Sequence, residues 1–562
     1  MDRRAFLLTP ALAAAQSALP AAQPTGAKHA TPAALPEIAR VPDAVAVLRG
    51  AERLALAPAA TEWKARDVVV TTAPRVAGEL AIHVEAPGGA IDWIGLRWKG
   101  AFPAGYRFLG DQWERSYGAL EWRCVVPYRR LPWYFLASDG HTLAGYGVKT
   151  GASAIACWQV DSAGVTLWLD VRSGGVGVEL GSRKLEAATV VTYRDSANDS
   201  PWLAARAFCR RLCDKPRLPA QPVYGGNNWY YTYGNNLTAA ALLRDSDMMA
   251  DLAAAETNRP WMVLDMGYEA AGEGAGPVDR TIPGFPDMSA LAADMKKRGV
   301  RPGIWVRLLL TIEKLPESLR LKGKRAAGGL GAPYFVLDPS VPDSLAYVER
   351  EIATLRGWGF DMIKHDFSTY DLFGRWGFEM PDDLSGSQCR FADRSRTTAE
   401  IVTAFYTAVR RAAGEALLIG CNTIGHLGAG LFELQRIGDD TSGREWSRTR
   451  KMGINTLAFR LPQHGTFFTA DADCVPVTAA IPPRLTGQWL DLVSRSGTPL
   501  FVSADPAVTG AKERAAIRAA FARSARTQTP GLEPLDWMET TSPQRWRAAD
   551  RTLVYDWYDG EV

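Results

Sequence analysis

Gly359-Phe360-Asp361-Met362-Ile363-Lys364-His365-Asp366-Phe367 is the stretch whose reading decides the fold. An apolar run closes on a lysine and, two residues on, an aspartate. Side chains alternate along a strand, so residues two apart share a face. If the run is a buried barrel strand, Lys364 and Asp366 stand together at its C-terminal mouth. His365 then turns to the opposite face and packs outside the barrel. A cation beside a carboxylate keeps that carboxylate ionised and nucleophilic. Taken alone, the tripeptide reads more simply as a surface ion pair ending a core strand, so the flanking sequence has to decide.

Upstream, residues 343–358 (DSLAYVEREIATLRGW) have helical periodicity, opened by Pro342 and closed by Gly359. A helix feeding a strand is half of a repeat, and the repeat recurs from about Pro222. Eight candidate strands follow one another, at residues 223–230, 261–266, 303–307, 360–367, 416–422, 434–439, 466–470 and 499–503. Helical segments lie between several of them, 289–298 being another clear one. Strands alternating with helices pair in parallel, and eight repeats predict a closed (β/α)8 TIM barrel over 222–510. An open doubly wound sheet normally carries a glycine-rich phosphate turn, and none is present. The span 300–440 has room for an insertion, and 372–394 reads as an extended loop at the active face.

Outside the barrel the rhythm differs. From 46 to 200, short alternating runs such as Asp67-Val68-Val69-Val70-Thr71 recur between glycine and proline turns, predicting a β-sandwich domain. Residues 201–221 form a helical link, led by PWLAARAFCRRLC. After the barrel, 511–562 should hold a helix from 511 to 524 and a short β segment. The fold class is therefore α/β with β: an N-terminal β-sandwich, a TIM barrel and a short C-terminal β-rich piece. At the other end, Met1-Asp2-Arg3-Arg4-Ala5-Phe6-Leu7 opens a twin-arginine-type signal peptide over residues 1–22, ahead of an Ala/Pro/Thr linker at 23–45. Its apolar run is too short to span a bilayer, so the expectation is a periplasmic or secreted protein with no membrane association once the signal is removed.

Composition narrows the partners. The 562 residues are 47% hydrophobic and 22% charged with a net charge of +3, which argues against a nucleic-acid binder. Nineteen tryptophans suit the faces of sugar rings, although core packing explains most of them equally well. Seven cysteines show no CxxC pair; Cys209 and Cys213, four apart on a helix, read as packing. Six histidines are isolated from one another, so neither a metal nor another cofactor is expected. Homo-oligomerisation stays open.

In a TIM barrel the chemistry sits at the C-terminal strand ends. Those ends are Trp229, Asp265, Trp305 with Arg307, Lys364 with Asp366, Cys421-Asn422, Asp439-Asp440 with the latter four residues beyond Arg436, and finally Asp471 and Asp473. Acidic residues recur at one rim among Lys, Arg and Trp. That set suits glycoside chemistry, in which one carboxylate attacks the anomeric carbon, a second shuttles the proton and flat aromatics hold the ring.

The order Trp229, Asp265, Gly303-Ile304-Trp305, Lys364-x-Asp366, Cys421 and Arg436-Ile437-Gly438-Asp439-Asp440 resembles the α-galactosidase clan of glycoside hydrolases, family 36 above all and family 27 more distantly. The resemblance covers 220–505. It implies a retaining, exo-acting hydrolase for terminal α-galactose-like residues, with Asp366 as nucleophile and Asp440 as acid/base, Asp439 being the fallback. Lys364 and Arg436 would hold sugar hydroxyls, Asp265 would accept from hydroxyls across the ring, Trp229 and Trp305 would line the subsite, and Cys421 would lie at its floor. Trp113, in Gly110-Asp111-Gln112-Trp113-Glu114-Arg115, is a candidate loop residue over the pocket.

The family's second acid after Asp265 is replaced by Met266, and its glycine-rich turn after Cys421 by Asn422-Thr423-Ile424-Gly425-His426. Arg307, Asp471 and Asp473 are the candidates to remake sugar recognition. The rivals are a raffinose-synthase-like transglycosylase, a hydrolase for β-L-arabinopyranose, and a carbohydrate-binding protein on an inactive barrel.

Overall fold

The computed structural model describes residues 34–195, 200–235, 237–323, 333–386, 388–527, 531–549 and 551–558. The expected signal peptide and the first part of the linker lie outside them. The chain divides into two compact units. One comprises the chain up to Gly110, Trp122–Pro201 and Asp393–Glu400; the other comprises Asp111–Glu121, Trp202–Ala392 and Ile401–Val562. The segment 111–121 thus belongs with the second unit, although the strands on either side of it belong to the first.

The first unit is the expected sandwich. Thirteen antiparallel strands run in one ribbon from Ala44–Arg49 to Leu185–Arg194. The strand Glu52–Ala59 divides it into two leaves, pairing first with Ala44–Arg49 and then, through residues 57–59, with Glu62–Ala65. Apolar alternation gives each leaf an inner face. Phe135 from one leaf meets Trp158 from the other at 5.8 Å, and Trp158 lies 6.3 Å from Trp98.

The second unit is built on a parallel sheet whose strands match the eight expected. They are Tyr224–Asn227, Trp261–Leu264, Arg301–Arg307, Met362–Asp366, Leu417–Gly420, Leu434–Arg436, a divided seventh, and Leu500–Ala504. The seventh runs as Thr469–Asp471 against the sixth and as Cys474–Val477 against the eighth, so the chain itself closes the ring. The division falls at Asp473, whose φ of 70° is left-handed. The expectation that Asp471 and Asp473 follow the seventh strand is corrected here: Asp471 ends its first half and Asp473 sits in its break, and both are buried. Pro476 hides the second half, because proline inside a short run reads as a turn.

One residue from most strands fills the floor: Val223, Trp261, Val263, Met362, Ile419, Leu434, Cys474 and Phe501 pack as one cluster. The helix Pro342–Gly357 leads into the fourth strand through Gly359, whose φ of 98° only glycine adopts readily. The insertion expected before that strand includes a short antiparallel pair, Leu310–Thr311 with Phe335–Val336. Beyond the barrel, the helix Ala511–Ser524 leads to three antiparallel strands ending at Val554. None of the described helices is long and apolar enough to cross a membrane.

Candidate active site

The fourth strand is paired on both sides, Trp305 and Arg307 lying beside Lys364 and Asp366 in register. This central position fixes the alternation read from the sequence. Lys364 and Asp366 share the face of Met362, while His365 packs on the other side against Phe405, Tyr406 and Phe432.

Asp366 is buried, and its three hydrogen bonds come from neutral donors. Trp305 Nε1 donates to Oδ2 at 3.0 Å; the Phe367 and Asn422 backbone N–H groups donate to Oδ1 at 2.7 and 3.0 Å. Burial pushes this carboxyl up, but Arg115 and Lys364 act on it more strongly together with these donors and bring it down to about 2. Phe367 sits at φ 62°, an outlier for a bulky residue, and that conformation aims its N–H back at Asp366.

Lys364 reaches across to the second strand, where its Nζ donates to Asp265 Oδ2 at 2.7 Å; Asn227 Nδ2 donates to the same oxygen at 2.8 Å. Asp265 Oδ1 accepts from the Met266 backbone at 2.9 Å, and Met266 is itself half-buried.

The two aspartates beyond the sixth strand have different surroundings. Asp439 is pinned through both oxygens, to Arg115 at 2.8 Å and Arg448 at 2.7 Å, with its side chain 12% exposed. Asp440 is 39% exposed, and its basic neighbours all meet Oδ1: Arg436 at 3.0 Å and Arg115 at 3.8 Å. Arg436 is buried, with Cys421 Sγ 3.6 Å from its NH1. Burial works against its charge, but Asp473, Tyr230, Cys421 and Asp440 together outweigh it and push the guanidinium up.

The other candidates distribute as follows. Trp305 is buried on Asp366, whereas Trp229 is half-buried, packed on the floor cluster with its ring 5.8 Å from Tyr233. Trp113 is buried, donating to the Met380 carbonyl at 2.7 Å. Arg307, a candidate for sugar recognition, is engaged by neighbouring protein groups. It pairs with the buried Asp371 at 2.6 Å, donates to the Glu273 carbonyl at 2.9 Å and lies 4.3 Å over the Phe367 ring. Asp471 is buried beside Arg436; burial pushes its carboxyl up, and the arginine opposes that.

Several members of the site carried no sequence signal. Arg115 is the chief one, bridging Asp439 and Asp440. Glu114 accepts from the Asn422 side chain and, at 2.8 Å, from Gly377 N–H. Tyr230, Thr441 and Asn227 also enter the network, as does Asn422, which the sequence places at the fifth strand end. The only hint was the run Trp113-Glu114-Arg115, an aromatic and two charges in a loop between strands. Among the described residues, no group of three His, Cys, Asp or Glu is placed to hold a metal ion.

These elements define a class: an antiparallel sandwich preceding a (β/α)8 barrel whose mouth carries separate carboxylates set among arginines and a lysine. Solved structures of that build include α-galactosidases. The chain resembles the Thermus thermophilus enzyme in complex with p-nitrophenyl α-D-galactopyranoside, with a TM-score of 0.60, 18% identity, and coverage of 91% of this chain and 99% of that one. It resembles a family 36 α-galactosidase from Geobacillus stearothermophilus (TM-score 0.57, 15% identity, coverage 85% and 70%). A third is the α-galactosidase of Lactobacillus brevis (TM-score 0.53, 13% identity, coverage 86% and 70%). The chain therefore has the fold of glycoside hydrolase family 36. No protein-family model matches the sequence, and no curated protein resembles it.

Proposed function

We propose that this chain is a retaining, exo-acting glycoside hydrolase of the α-galactosidase type, removing terminal α-galactose-like residues from oligo- or polysaccharides. The observation that carries the reading is Asp366. It is a buried carboxylate at the barrel mouth, kept ionised by nearby cations while neutral N–H groups orient it. Among the described residues no basic side chain forms an ion pair with it, so its lone pairs are not capped by a counter-ion.

In the first step an Asp366 oxygen attacks the anomeric carbon as the glycosidic C–O bond breaks, and Asp440 gives its proton to the departing oxygen. In the second, Asp440 takes a proton from water, the resulting hydroxide oxygen bonds to the anomeric carbon, and Asp366 is released. The exposure of Asp440 supports this role over Asp439, both of whose oxygens are engaged. Asp265 would meet hydroxyls on the far side of the ring, with Met266 beside it.

The test is a panel of aryl α-glycosides, galactoside and L-arabinopyranoside included, offered to wild type and Asp366→Ala. Turnover that disappears in the variant and partly returns with azide supports the nucleophile and names the sugar. Turnover retained by Asp366→Ala overturns the assignment. We further place the enzyme in the periplasm or outside the cell, on the strength of Arg3-Arg4 and the apolar run after them. Changing both arginines to lysine should hold the chain in the cytoplasm; unchanged export on cell fractionation would refute this.

A further inference from the structure

The break in the seventh strand carries one further inference, which rests on the acid/base role proposed for Asp440. Asp473 is 3% exposed and both its oxygens are occupied. Oδ1 pairs with Arg436 at 2.8 Å. Oδ2 accepts from the Thr441 backbone N–H at 2.7 Å, from the Thr441 hydroxyl at 2.9 Å and from the Tyr230 hydroxyl.

These partners converge on Asp440 from two directions. The Arg436 NH2 that meets Asp473 also donates to Asp440 Oδ1 at 3.0 Å and to Tyr230 Oη at 3.0 Å. Thr441 is the next residue after Asp440, so fixing its N–H fixes the peptide that follows the Asp440 Cα. The left-handed backbone at Asp473 interrupts the strand at the point where this carboxylate is buried among the three groups. Aspartate tolerates that conformation better than most residues.

The geometry points to Asp473 as a positioning residue for Asp440, and not as a sugar ligand. One buried carboxylate sets both the arginine that holds Asp440 and the backbone that carries it. Tyr230 joins the same clamp from the end of the first strand, so three strand ends are tied at one oxygen pair.

The test is Asp473→Asn, since asparagine also accepts left-handed backbone. kcat/KM is measured on an alkyl α-galactoside, whose leaving oxygen needs a proton, and on a dinitrophenyl α-galactoside, whose phenolate leaves unaided. The expected loss is about 10²-fold on the first, with its KM nearly unchanged, and less than about threefold on the second, as befits impaired general-acid catalysis. Thr441→Ala, which removes one hydroxyl from Asp473 Oδ2, should lose activity in the same leaving-group-dependent way. Equal losses on both substrates, a loss confined to KM, or no loss at all would overturn the proposal.

If wild type hydrolyses no glycoside, the functional reading has failed and hydrogen exchange of the segment 438–443 decides the clamp alone. Faster exchange there in Asp473→Asn, with the rest of the barrel unchanged, upholds the anchoring. Unchanged exchange in that segment refutes it.

Discussion

Replacing Arg115 with methionine should raise the acid limb of catalysis. In the proposed mechanism Asp366 attacks only when ionised, so activity should be present above its titration and lost as pH falls through it. Burial pushes the carboxyl up; Arg115 is the largest opposing influence, followed by Lys364, and the net position is about 2. Lys364 is already paired with Asp265 at 2.7 Å, so it cannot move across to compensate without leaving that partner. Loss of one nearby opposite charge raises a carboxylate by about 1–3 pH units, or roughly 1.4–4 kcal/mol of lost preference for the ionised form.

Methionine retains aliphatic volume beside Trp376, whose ring lies 5.3 Å from the guanidinium. Asp439 keeps Arg448 at 2.7 Å, so the loop after the sixth strand retains an anchor. The assay is kcat/KM for an aryl α-galactoside from about pH 3 to neutrality, because this ratio reports the free enzyme's titrations. Wild type should hold its rate down to the lowest pH at which it stays folded, while the variant's limb enters the measurable range. Arg448→Met, which loosens Asp439 from the other side, should leave the limb in place. A folded Arg115→Met protein with the wild-type limb would refute the argument that this cation keeps the nucleophile ionised.

Asp440→Asn should lower kcat/KM on alkyl galactosides by about 10²–10⁴-fold, the usual worth of a general acid. Asp439→Asn should act chiefly on stability, read as a lower melting temperature, because its partners are Arg115 and Arg448; the opposite ranking would hand the acid/base role to Asp439. His365 is packed among aromatic rings, and burial lowers its titration from the ordinary 6.5 to about 4. The unfolded chain therefore takes this proton first, and the fold loses about 3 kcal/mol as pH drops through that window. His365→Phe should remove that loss, so urea midpoints at acidic and neutral pH should lie closer together in the variant; an unchanged pH dependence would show that the imidazole is not the group responsible.

The sequence made legible whatever a two-residue period controls. Alternation put Lys364 and Asp366 inside the barrel and His365 outside, and the central position of that strand left no other register. It also brought Arg436 and the acids three and four residues later to one rim, since a strand end and its loop stay together. Which of two adjacent acids is free is a different kind of question. Asp439 is occupied because Arg115 arrives from a loop whose contacts at this site span some three hundred positions, as with Cys421 at a separation of 306. No local pattern encodes such a partner.

Arg307 has the same lesson in reverse. Its strand-end position is that of a ligand-binding residue, yet Asp371, on the short helix after the next strand, engages it first. Asp473 went unread as an anchor because the second half of the strand it interrupts, Cys474–Val477, is recognisable only once it is paired. The period of a chain thus fixes which way a charge faces, while its counter-charge decides what that charge is free to do. In this barrel Arg115, Asp371 and Arg436 reach Asp439, Arg307 and Asp473 across the sequence and hold them in place. Asp366 has no ion-pair partner among the described residues, and Asp440 keeps one oxygen clear of its basic neighbours.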